Sequence, residues 1–594
     1  MLTAAFTTFD QVVRERAATL GDADAFVFLG DGDGDSRHLT YSVLDRRARA
    51  LALRLTARGA RSGPVLLLYP PGPEFVVAFV ACLYAGAVAV PAPLPGERPQ
   101  RVSGIVRDVE PRVVLTDAAH AADHSPWLAL AGGEDTALLV SDLDDGTDPD
   151  DWRPPANGPD DLALLQYTSG STRQPRGVMV SHRNLVANQT SLQRLLGSSA
   201  EDRFTSWLPH YHDMGLVAHV LHPLWLGTHS VQMSSVAFVK RPVDWLRSIG
   251  EYGLTIGGGP NFGYDLCTRR VSDAHLAGLD LSSWRLALCG AEPVRSRTLD
   301  SFTRRFAPAG LRATSLYPGY GLSEATLVVS GGRPGAPAGR LTVDAAALEH
   351  DELRAPAEES AARTLVGAGR APDLDLRIVD PAARAELPAG RVGEIWLRGD
   401  SVAVGYWRRP EESAATFHAA LDGVPGVFLR TGDLGAVHDG ELYITGRLKE
   451  VIILNGRNIY PQDVEWAIRD GAPVLATGHS AVFTVGADPE QLVVVHELRT
   501  ARATPAHLED VVRGIRAALG RDFDLPGQNI VLVGPGVLRR TSSGKVQRVL
   551  MRRLFLRGEV PALFDVLDPA VRAVVASGAA TGDGPAHPAA RSAR

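Results

Sequence analysis

Apolar and polar positions along the chain alternate between two kinds of segment. Short, continuous apolar runs predict buried strands, as at residues 65–69, 113–116, 162–165 and 286–289. Between such runs, apolar residues recur at helical spacing, as over residues 41–58. Strands that alternate with helices predict an α/β fold, and a length of 594 residues predicts two or more domains.

One apolar stretch raises the question of a membrane span. Residues 75–95 carry no charge and are about long enough to cross a bilayer. However, they are rich in alanine, contain Gly86, and end in Pro91, Pro93 and Pro95. These features favour a packed helix that turns into a buried strand at residues 87–90. We therefore expect no membrane span.

Composition and charge exclude several functional classes. A hydrophobic content of 45% is too high for a disordered chain, and a net charge of -7 argues against a dedicated nucleic-acid binder. The cysteines Cys82, Cys267 and Cys289 are widely spaced in apolar surroundings, which predicts core thiols rather than disulfides or a zinc site. The first residues lack the pattern of a signal peptide, so we expect a cytoplasmic protein.

Two local patterns resemble metal sites without their defining positions. The acidic run at residues 31–35 starts like a calcium loop, but Ser36 and Ser42 occupy the places of the required Gly and Glu. A hairpin turn is the expectation there. The histidines at residues 210–222 lack the paired helical spacing of a zinc site.

The loop from Thr168 to Gly177 carries the first chemical signal. It follows an apolar strand and consists of glycines and hydroxylic residues, whose backbone amides and hydroxyls can surround a polyphosphate. It is not a Walker loop, because the Gly-Lys-[Ser/Thr] sequence is missing. A polar surface turn is the alternative interpretation.

The wording Thr-Ser-Gly-Ser-Thr-x-x-Pro-x-Gly resembles the phosphate loop of the adenylate-forming enzymes. This superfamily comprises acyl-CoA synthetases, peptide-synthetase adenylation domains and luciferases. Arg173 and Arg176 stand where most members carry Gly and Lys, and Arg173 is similar to the usage in the fatty acyl-AMP ligase branch. The resemblance implies ATP as a substrate, bound here by Thr168, Ser169, Gly170, Ser171, Thr172 and Gly177.

Further motifs of the same superfamily follow in order. Gly290-Ala291-Glu292 and Tyr320-Gly321-Leu322-Ser323-Glu324 are similar to the segments that face the adenine, with Glu324 as the Mg²⁺ ligand. A flat ring suits a purine, and a carboxylate oxygen suits Mg²⁺. The resemblance implies that Asp433 and Arg447 hold the ribose or phosphate, that Lys449 is a hinge, and that Lys545 is catalytic.

The acyl site is expected in two segments typical of the fatty acyl-AMP ligases. Trp-Leu-Pro-x-x-His-Asp-Met-Gly places His212 and Asp213 beside the acyl-phosphate centre, whereas His210 falls at a variable position. Residues 257–262, Gly-Gly-Gly-Pro-Asn-Phe, follow an apolar run, and small residues at a strand end leave room for an acyl chain. The implied residues are Gly259, Pro260, Asn261 and Phe262, and a tight turn is the alternative.

The branch markers also predict the domain organisation. Residues 455–463 closely resemble the Gly-Arg-Asn-x-Tyr-Pro-Gln-Asp of acyl-AMP ligases. We expect a large N-terminal adenylate-forming domain with parallel-rich sheets over residues 1–447, including an insertion near 333–370. Composition alone predicts a loop or a short excursion over residues 330–370. A small, mobile α/β domain would span residues 448–567, and the tail at 568–594 is expected to be disordered.

The helix after Lys545 carries a basic face. Val546, Val549, Leu550 and Leu554 are predicted to line its apolar side, which leaves Arg548, Arg552 and Arg553 on the other. A solvated surface and a docking site for an acidic carrier protein are both open interpretations.

The resemblance implies a two-step reaction. A fatty acid carboxylate attacks ATP to form an acyl-adenylate, and the acyl group then passes to the phosphopantetheine thiol of a separate acyl carrier protein. An acyl-CoA synthetase is the first alternative, although the branch markers make coenzyme A an unlikely acceptor. An amino-acid-activating domain and an inactive paralogue that docks carrier proteins are the others.

Overall fold

The structure is a computed structural model, which describes residues 6–30, 34, 36–96, 99–130, 136–168, 175–358, 362–454, 456–476, 478–486, 490–499, 503–525, 527–541 and 544–581. Within these ranges, helices and strands alternate along most of the chain, and the predicted α/β class is confirmed. A large N-terminal domain precedes a smaller C-terminal one.

The first part of the chain supplies most of a seven-stranded sheet. Its elements are α1 (Phe9–Leu20), β1 (Asp24–Phe28), β2 (Arg37–Thr40), α2 (Tyr41–Ala57), β3 (Pro64–Leu68), α3 (Pro73–Ala85), β4 (Val88–Ala92), α4 (Pro99–Val109), β5 (Val113–Thr116), α5 (Ala118–Leu130), β6 (Ala137–Val140), β7 (Leu162–Thr168) and β8 (Arg176–Ser181). β3 to β7 pair in parallel, and β8 returns antiparallel to β7.

The second part completes an eight-stranded sheet. Its elements are α6 (His182–Leu196), β9 (Phe204–Ser206), a π-helix (Met214–Leu221), α7 (His222–Leu226), β10 (Ser230–Gln232), α8 (Ser235–Lys240), α9 (Pro242–Tyr252), β11 (Ile256–Gly259), α10 (Asn261–Arg270), α11 (Asp273–Leu276), β12 (Leu286–Cys289), α12 (Ser296–Phe306), β13 (Leu316–Gly321) and β14 (Val328–Gly331). The strand order is β14-β13-β12-β11-β9-β10-β1-β2, parallel except at its two outer pairs.

The remaining elements of the N-terminal domain form smaller antiparallel sheets. They are β15 (Arg340–Asp344), α13 (Ala345–Leu348), β16 (Ala362–Val366), β17 (Asp375–Val379), β18 (Gly393–Arg398), β19 (Gly405–Tyr406), α14 (Pro410–Phe417), β20 (Ala419–Leu421), β21 (Val424–His438) and β22 (Glu441–Arg447). β15 and β16 pair with each other, so this part of the segment is an ordered pair of strands rather than a loop.

The C-terminal domain is built on a four-stranded sheet. Its elements are β23 (Ile452–Leu454), β24 (Arg457–Ile459), α15 (Pro461–Gly471), β25 (His479–Val485), β26 (Gln491–Glu497), α16 (Pro505–Phe523), β27 (Asn529–Val533), α17 (Arg548–Leu556), β28 (Ala562–Val566) and α18 (Pro569–Thr581). Val571 of α18 is buried in the domain core. The expected disorder from residue 568 is therefore wrong up to Thr581, and residues 582–594 lie outside the described ranges.

The main core lies between the two large sheets. α3 occupies this position, and nearly all of its side chains are buried against residues from both sheets, including Val65 and Ile256. The uncharged stretch at 75–95 is thus a packed helix followed by a buried strand, as expected. Among the described residues, no helix is both long and apolar enough to cross a membrane. All three cysteines are buried and free.

Candidate functional site

A buried carboxylate, that of Asp433, joins three strands of the candidate site. Asp433 of β21 accepts a hydrogen bond from the hydroxyl of Tyr320 at 2.8 Å. Its other oxygen forms an ion pair with Nε of Arg447 at 2.8 Å. Asp433 is only 5% exposed, and its charge raises the pKa of Arg447. Because each oxygen of Asp433 has a partner, the carboxylate is held in one orientation.

The local backbone explains why these residues meet. Asp433 and Arg447 are direct cross-strand partners in the β21–β22 pair, next to a bulge, and Tyr320 lies near the end of β13. Cross-strand partners place their side chains within contact distance. The structure places Asp433 inside the long strand β21.

Glu324 lies beside this group and has its own fixed partner. Its Oε1 accepts a hydrogen bond from the hydroxyl of Tyr406 at 2.8 Å. Burial raises the pKa of Glu324, and the hydrogen bond from Tyr406 opposes that rise. The guanidinium of Arg176 lies 5.5 Å from the centre of the Tyr406 ring, which links the end of the phosphate loop to Glu324.

Tyr406 is a site residue that sequence analysis missed. It stands in the two-residue strand β19, which pairs with β8 so that Tyr406 lies opposite Val178. A two-residue strand has no periodicity to read, and only this pairing brings the ring beside Glu324 and Arg176.

The His212–Asp213 segment begins a π-helix next to Glu324. Asp213 accepts hydrogen bonds from the hydroxyl of Ser323 at 2.7 Å and from the backbone of Met214 at 2.7 Å. A side chain at Gly215 would overlap the carbonyl of Pro209, so this tight turn requires glycine. Short π-helices frequently occur at functional sites.

The other histidines of this segment belong to the core. His210 packs on Phe75 with ring centres 3.9 Å apart, and burial lowers its pKa to about 3. His222 is bound by Ser198 and Gln189, and burial also lowers its pKa to about 3. In the described part of the chain, no three His, Cys, Asp or Glu residues are arranged to hold a metal ion.

The glycines of the expected acyl segment pack closely against neighbouring elements. Gly257, Gly258 and Gly259 lie within β11 rather than after it. A Cβ on Gly259 would be 2.5 Å from the ring of Trp207, and one on Gly263 would be 2.6 Å from it. Gly259 therefore lets the ring of Trp207 approach β11, and Trp207 stacks on Phe238 with ring centres 3.9 Å apart.

Asn261 ties the start of α10 to the loop after β12. Its side-chain amide donates to the carbonyl of Pro293 at 2.9 Å, and its Oδ1 accepts from the backbone of Arg295 at 3.0 Å. In the same loop, Ala291 has a φ of 69°, which is unusual for a residue with a side chain. This loop therefore keeps its shape through Asn261.

Glu292 and Gly290 lie in the loop held by Asn261. A Cβ on Gly290 would be 2.9 Å from the carbonyl oxygen of Gly319, so β12 and β13 approach closely here. Burial raises the pKa of Glu292, whereas the charge of Lys545 and a hydrogen bond with Asn261 lower it.

Lys545 reaches this site from the C-terminal domain. It lies in a tight turn in which the backbone of Thr541 donates to the carbonyl of Lys545 at 2.8 Å. Burial and the charge of Arg447 lower the pKa of Lys545, while Asp213, Glu292 and Asp433 oppose that shift. The structure thus brings Lys545 together with acidic groups that are far apart in the sequence.

The remaining predicted site residues belong to the loop after β7 and to the turn after β22. Ser169, Gly170, Ser171 and Thr172 are not among the described residues. Thr168 and Arg176 are opposite partners at the ends of β7 and β8, so they mark the base of the loop. A Cβ on Gly177 would be 2.9 Å from the ring of Tyr167. Lys449 is exposed in the turn between β22 and β23, two residues after Arg447.

The basic face predicted after Lys545 is partly wrong. Arg548 does not face solvent, because it pairs with Glu465 at 2.7 Å and with Glu450 at 2.5 Å. The residues of α17 that enter the core are Met551 and Phe555, whereas Val549 is exposed. The helix is thus rotated relative to the predicted apolar face, and Arg548 connects the lysine turn to the start of the C-terminal domain.

Comparison with known proteins shows which family the chain matches and which enzymes it is similar to. Residues 13–407 match the protein family described as AMP-binding enzyme. A medium-chain-fatty-acid–[acyl-carrier-protein] ligase, JamA of Moorena producens, is 40% identical over 97% of this chain and 99% of its own length. The long-chain-fatty-acid–AMP ligase FadD26 of Mycobacterium marinum is 37% identical over 90% of this chain and 95% of its own.

A solved structure supports the likeness at the level of the fold. The fatty acyl-adenylate ligase of L. pneumophila, in complex with acyl adenylate and pyrophosphate, superposes with a TM-score of 0.73 at 34% identity. The match covers 94% of this chain and 98% of that one.

Proposed function

The chain belongs to the family of AMP-binding enzymes, and from this premise we propose that it is a fatty acyl-AMP ligase that loads an acyl carrier protein. It uses ATP to convert a fatty acid to an acyl-adenylate, then transfers the acyl group to a phosphopantetheine thiol. The observation that carries this proposal is the convergence of Lys545 with Arg447, Asp433 and Glu292 across the domain boundary.

In the first step, a carboxylate oxygen of the fatty acid attacks the α-phosphorus of ATP and pyrophosphate leaves. Asp433 accepts hydrogen bonds from the ribose hydroxyls, and Arg447 binds the ribose or the α-phosphate. Tyr320 lies beside the adenine with Gly290, Ala291 and Gly321. Lys545 bridges the carboxylate and the α-phosphate, where its charge offsets the negative charge that develops during attack. The Thr168–Gly177 loop holds the leaving phosphates.

The acyl group is proposed to approach from the side of His212 and Asp213. Phe262 and Asn261 begin α10 on this side, and Pro260 ends the segment that Trp207 covers. Because Trp207 fills the space beside Gly259, the acyl chain of the substrate must pass along the Trp207 ring or displace that ring.

Glu324 fits the role of an Mg²⁺ ligand. It offers a hard carboxylate oxygen, its other oxygen is fixed by Tyr406, and Mg²⁺ is commonly bound by one or two carboxylates together with substrate phosphates. When bound, Mg²⁺ would neutralise charge on the triphosphate. Glu324 and Ser323 are the residues of this chain that would orient it.

For the second step, we propose that the domains divide at residues 447 and 448 and that the C-terminal domain turns at Lys449. This rotation removes Lys545 and opens a path for the thiol, so one site serves two half-reactions. The acceptor is a carrier protein on a separate chain. The segment near residues 333–370 contacts the C-terminal domain through Glu349–Arg457 and Arg363–Asp463, and we propose that it disfavours coenzyme A. No role for nucleic acid is proposed.

The test supplies purified protein with ATP, Mg²⁺, a panel of fatty acids, and either coenzyme A or a phosphopantetheinylated carrier protein. Acyl-adenylate that persists with coenzyme A and disappears with the carrier is the expected result. Rapid formation of acyl-CoA would instead favour an acyl-CoA synthetase, and absence of adenylate would favour an inactive docking protein.

A pair of variants connects the activity to the proposed residue. Lys545→Ala should abolish adenylate formation while the fold remains intact. Lys240→Ala, which removes an exposed lysine at the end of α8, should retain full activity. Equal activity of both variants would contradict the role of Lys545.

A further inference from the structure

A cluster of charges joins the C-terminal domain to the start of α12. On α15 of the C-terminal domain, Oδ2 of Asp470 accepts from Nη2 of Arg295 at 2.6 Å and from Nη1 of Arg297 at 2.9 Å. Arg295 and Arg297 stand at the start of α12, directly after the loop that contains Glu292.

Arg295 is enclosed by two side chains of one helix face. Its guanidinium lies 4.9 Å from the centre of the Trp466 ring, and Trp466 precedes Asp470 by one helical turn. The Arg295 side chain is only 7% exposed, whereas that of Arg297 is 67% exposed. A buried guanidinium requires a fixed counter-charge, and Asp470 of the other domain supplies it.

A second ion pair fixes the same helix. Nη2 of Arg469 lies 3.1 Å from Oδ2 of Asp265 on α10, and the other oxygen of Asp265 accepts from the hydroxyl of Thr298. Successive residues of α15 thus hold α12 and α10. A cavity of about 220 Å³ lies in the same interface, lined among others by Arg295 and Trp466. Ion pairs therefore hold the two domains together beside this cavity.

The interface is connected to the active-site loop through the backbone. The same Arg295 that binds Asp470 donates its backbone N–H to Oδ1 of Asn261, whose amide holds Pro293. The charge of Lys545 acts on Glu292, which directly precedes the anchored Pro293. A shift of Arg295 would therefore move the loop, and a shift of α15 would move the domain that carries Lys545.

We propose that Asp470 is a positioning residue for adenylate formation, which holds the C-terminal domain against Arg295 so that Lys545 enters the site beside Glu292. This inference rests on the two-step reaction proposed above. Because the contact joins the two domains, it exists in the orientation that inserts Lys545 and is lost when the C-terminal domain turns. The pair should therefore favour the first half-reaction and not the second.

The test separates the two half-reactions in Asp470→Asn. Adenylate formation is measured as ATP–pyrophosphate exchange, and transfer is measured with supplied acyl-adenylate and a phosphopantetheinylated carrier protein. We expect exchange to fall at least tenfold, mainly in kcat, with transfer unchanged or faster. Asp470→Glu, which retains the charge, should recover part of the exchange rate.

Two further variants complete the experiment. Asp510→Asn removes an exposed partner of Arg513 on α16 of the same domain and should change neither half-reaction. Arg297→Gln alters an exposed side chain that does not endanger folding, and it should reduce exchange about two- to fivefold without affecting transfer.

Equal loss of both half-reactions in Asp470→Asn and Arg297→Gln, or no loss in either, would overturn the positioning role. This failure is distinguishable from failure of the proposed function, since in that case the wild-type protein itself would form no acyl-adenylate.

Discussion

Gly544 lies against the ring of Phe262, so the lysine turn of the C-terminal domain meets the start of α10 directly. A Cβ on Gly544 would be 3.1 Å from Cδ1 of Phe262. Gly544 also has a φ of 84°, a conformation that favours glycine. This fit places the neighbouring Lys545 inside the site.

Substitution Gly544→Ala should impair adenylate formation. The added methyl group presses on Phe262 and strains the turn, so we expect the rate of acyl-adenylate formation to fall roughly tenfold. The measurement is pyrophosphate release at saturating ATP. Gly536→Ala is the control, because Gly536 has a similar φ of 80° and no atom within 4 Å of the added Cβ. Equal losses would attribute the effect to backbone strain alone.

Substitution Tyr406→Phe should weaken the use of Mg²⁺. The hydrogen bond from Tyr406 favours the ionised form of Glu324, so its removal raises the pKa of that carboxylate further. We expect the Mg²⁺ concentration for half-maximal adenylate formation to rise several-fold.

Tyr443→Phe is the matched control for this experiment, since its hydroxyl donates to Glu441 at 3.5 Å, away from Glu324. Titration of both variants with Mg²⁺ provides the comparison. An unchanged Mg²⁺ dependence of Tyr406→Phe would contradict the role of Glu324 as an Mg²⁺ ligand.

The pH dependence of adenylate formation should reflect the loss of a proton from Lys545. Burial lowers the pKa of this lysine, so it loses its proton at a lower pH than an exposed lysine, and activity falls on the alkaline side. In Lys545→Arg the guanidinium stays charged, so the alkaline fall should move to higher pH even if the rate is lower. The measurement is kcat/KM for ATP from pH 6 to 10, and an identical alkaline fall in both proteins would assign it to another group.

Stability at acidic pH should depend on His222. Burial lowers its pKa from 6.5 to about 3, so the unfolded chain binds a proton that the folded chain does not. The contribution of the neutral ring is complete above pH 6.5 and is lost as pH falls toward 3, by about 1.4 kcal/mol per pH unit.

His222→Gln should lower stability at pH 7, because the bonds to Ser198 and Gln189 change, but it should reduce the loss between pH 7 and pH 5. We expect that loss to shrink by roughly 1–2 kcal/mol in urea unfolding. His38→Gln, which changes a largely exposed histidine, should leave the slope unchanged. A slope that is equally steep in His222→Gln would contradict the burial argument.

Local pattern predicts several of the regular elements well. The runs at residues 113–116 and 286–289 coincide with β5 and β12, and the helical period from residue 41 ends one residue before its predicted end. Apolar continuity in a strand and apolar spacing in a helix are properties of neighbouring residues, so they can be read without the fold.

Contacts between distant segments produced the corrections. The glycines of β11 lie against Thr205, Leu288 and Trp207, and composition does not reveal these close approaches. Arg548 resembles a solvated arginine until Glu450 and Glu465 are seen beside it. The residues of β15 and β16 show only a weak alternation of apolar and polar positions. These strands form because they pair with each other.

The sequence by itself determined the α/β class, the order of the elements and the motifs that indicate adenylate chemistry, because each depends on residues close together in the chain. Only the tertiary structure decided which groups share the site. Tyr406 lies beside Glu324, and Asp470 lies beside Arg295, across 82 and 175 positions respectively. Such distances are closed by packing of whole sheets and domains, and that packing depends on the entire core rather than on any one motif.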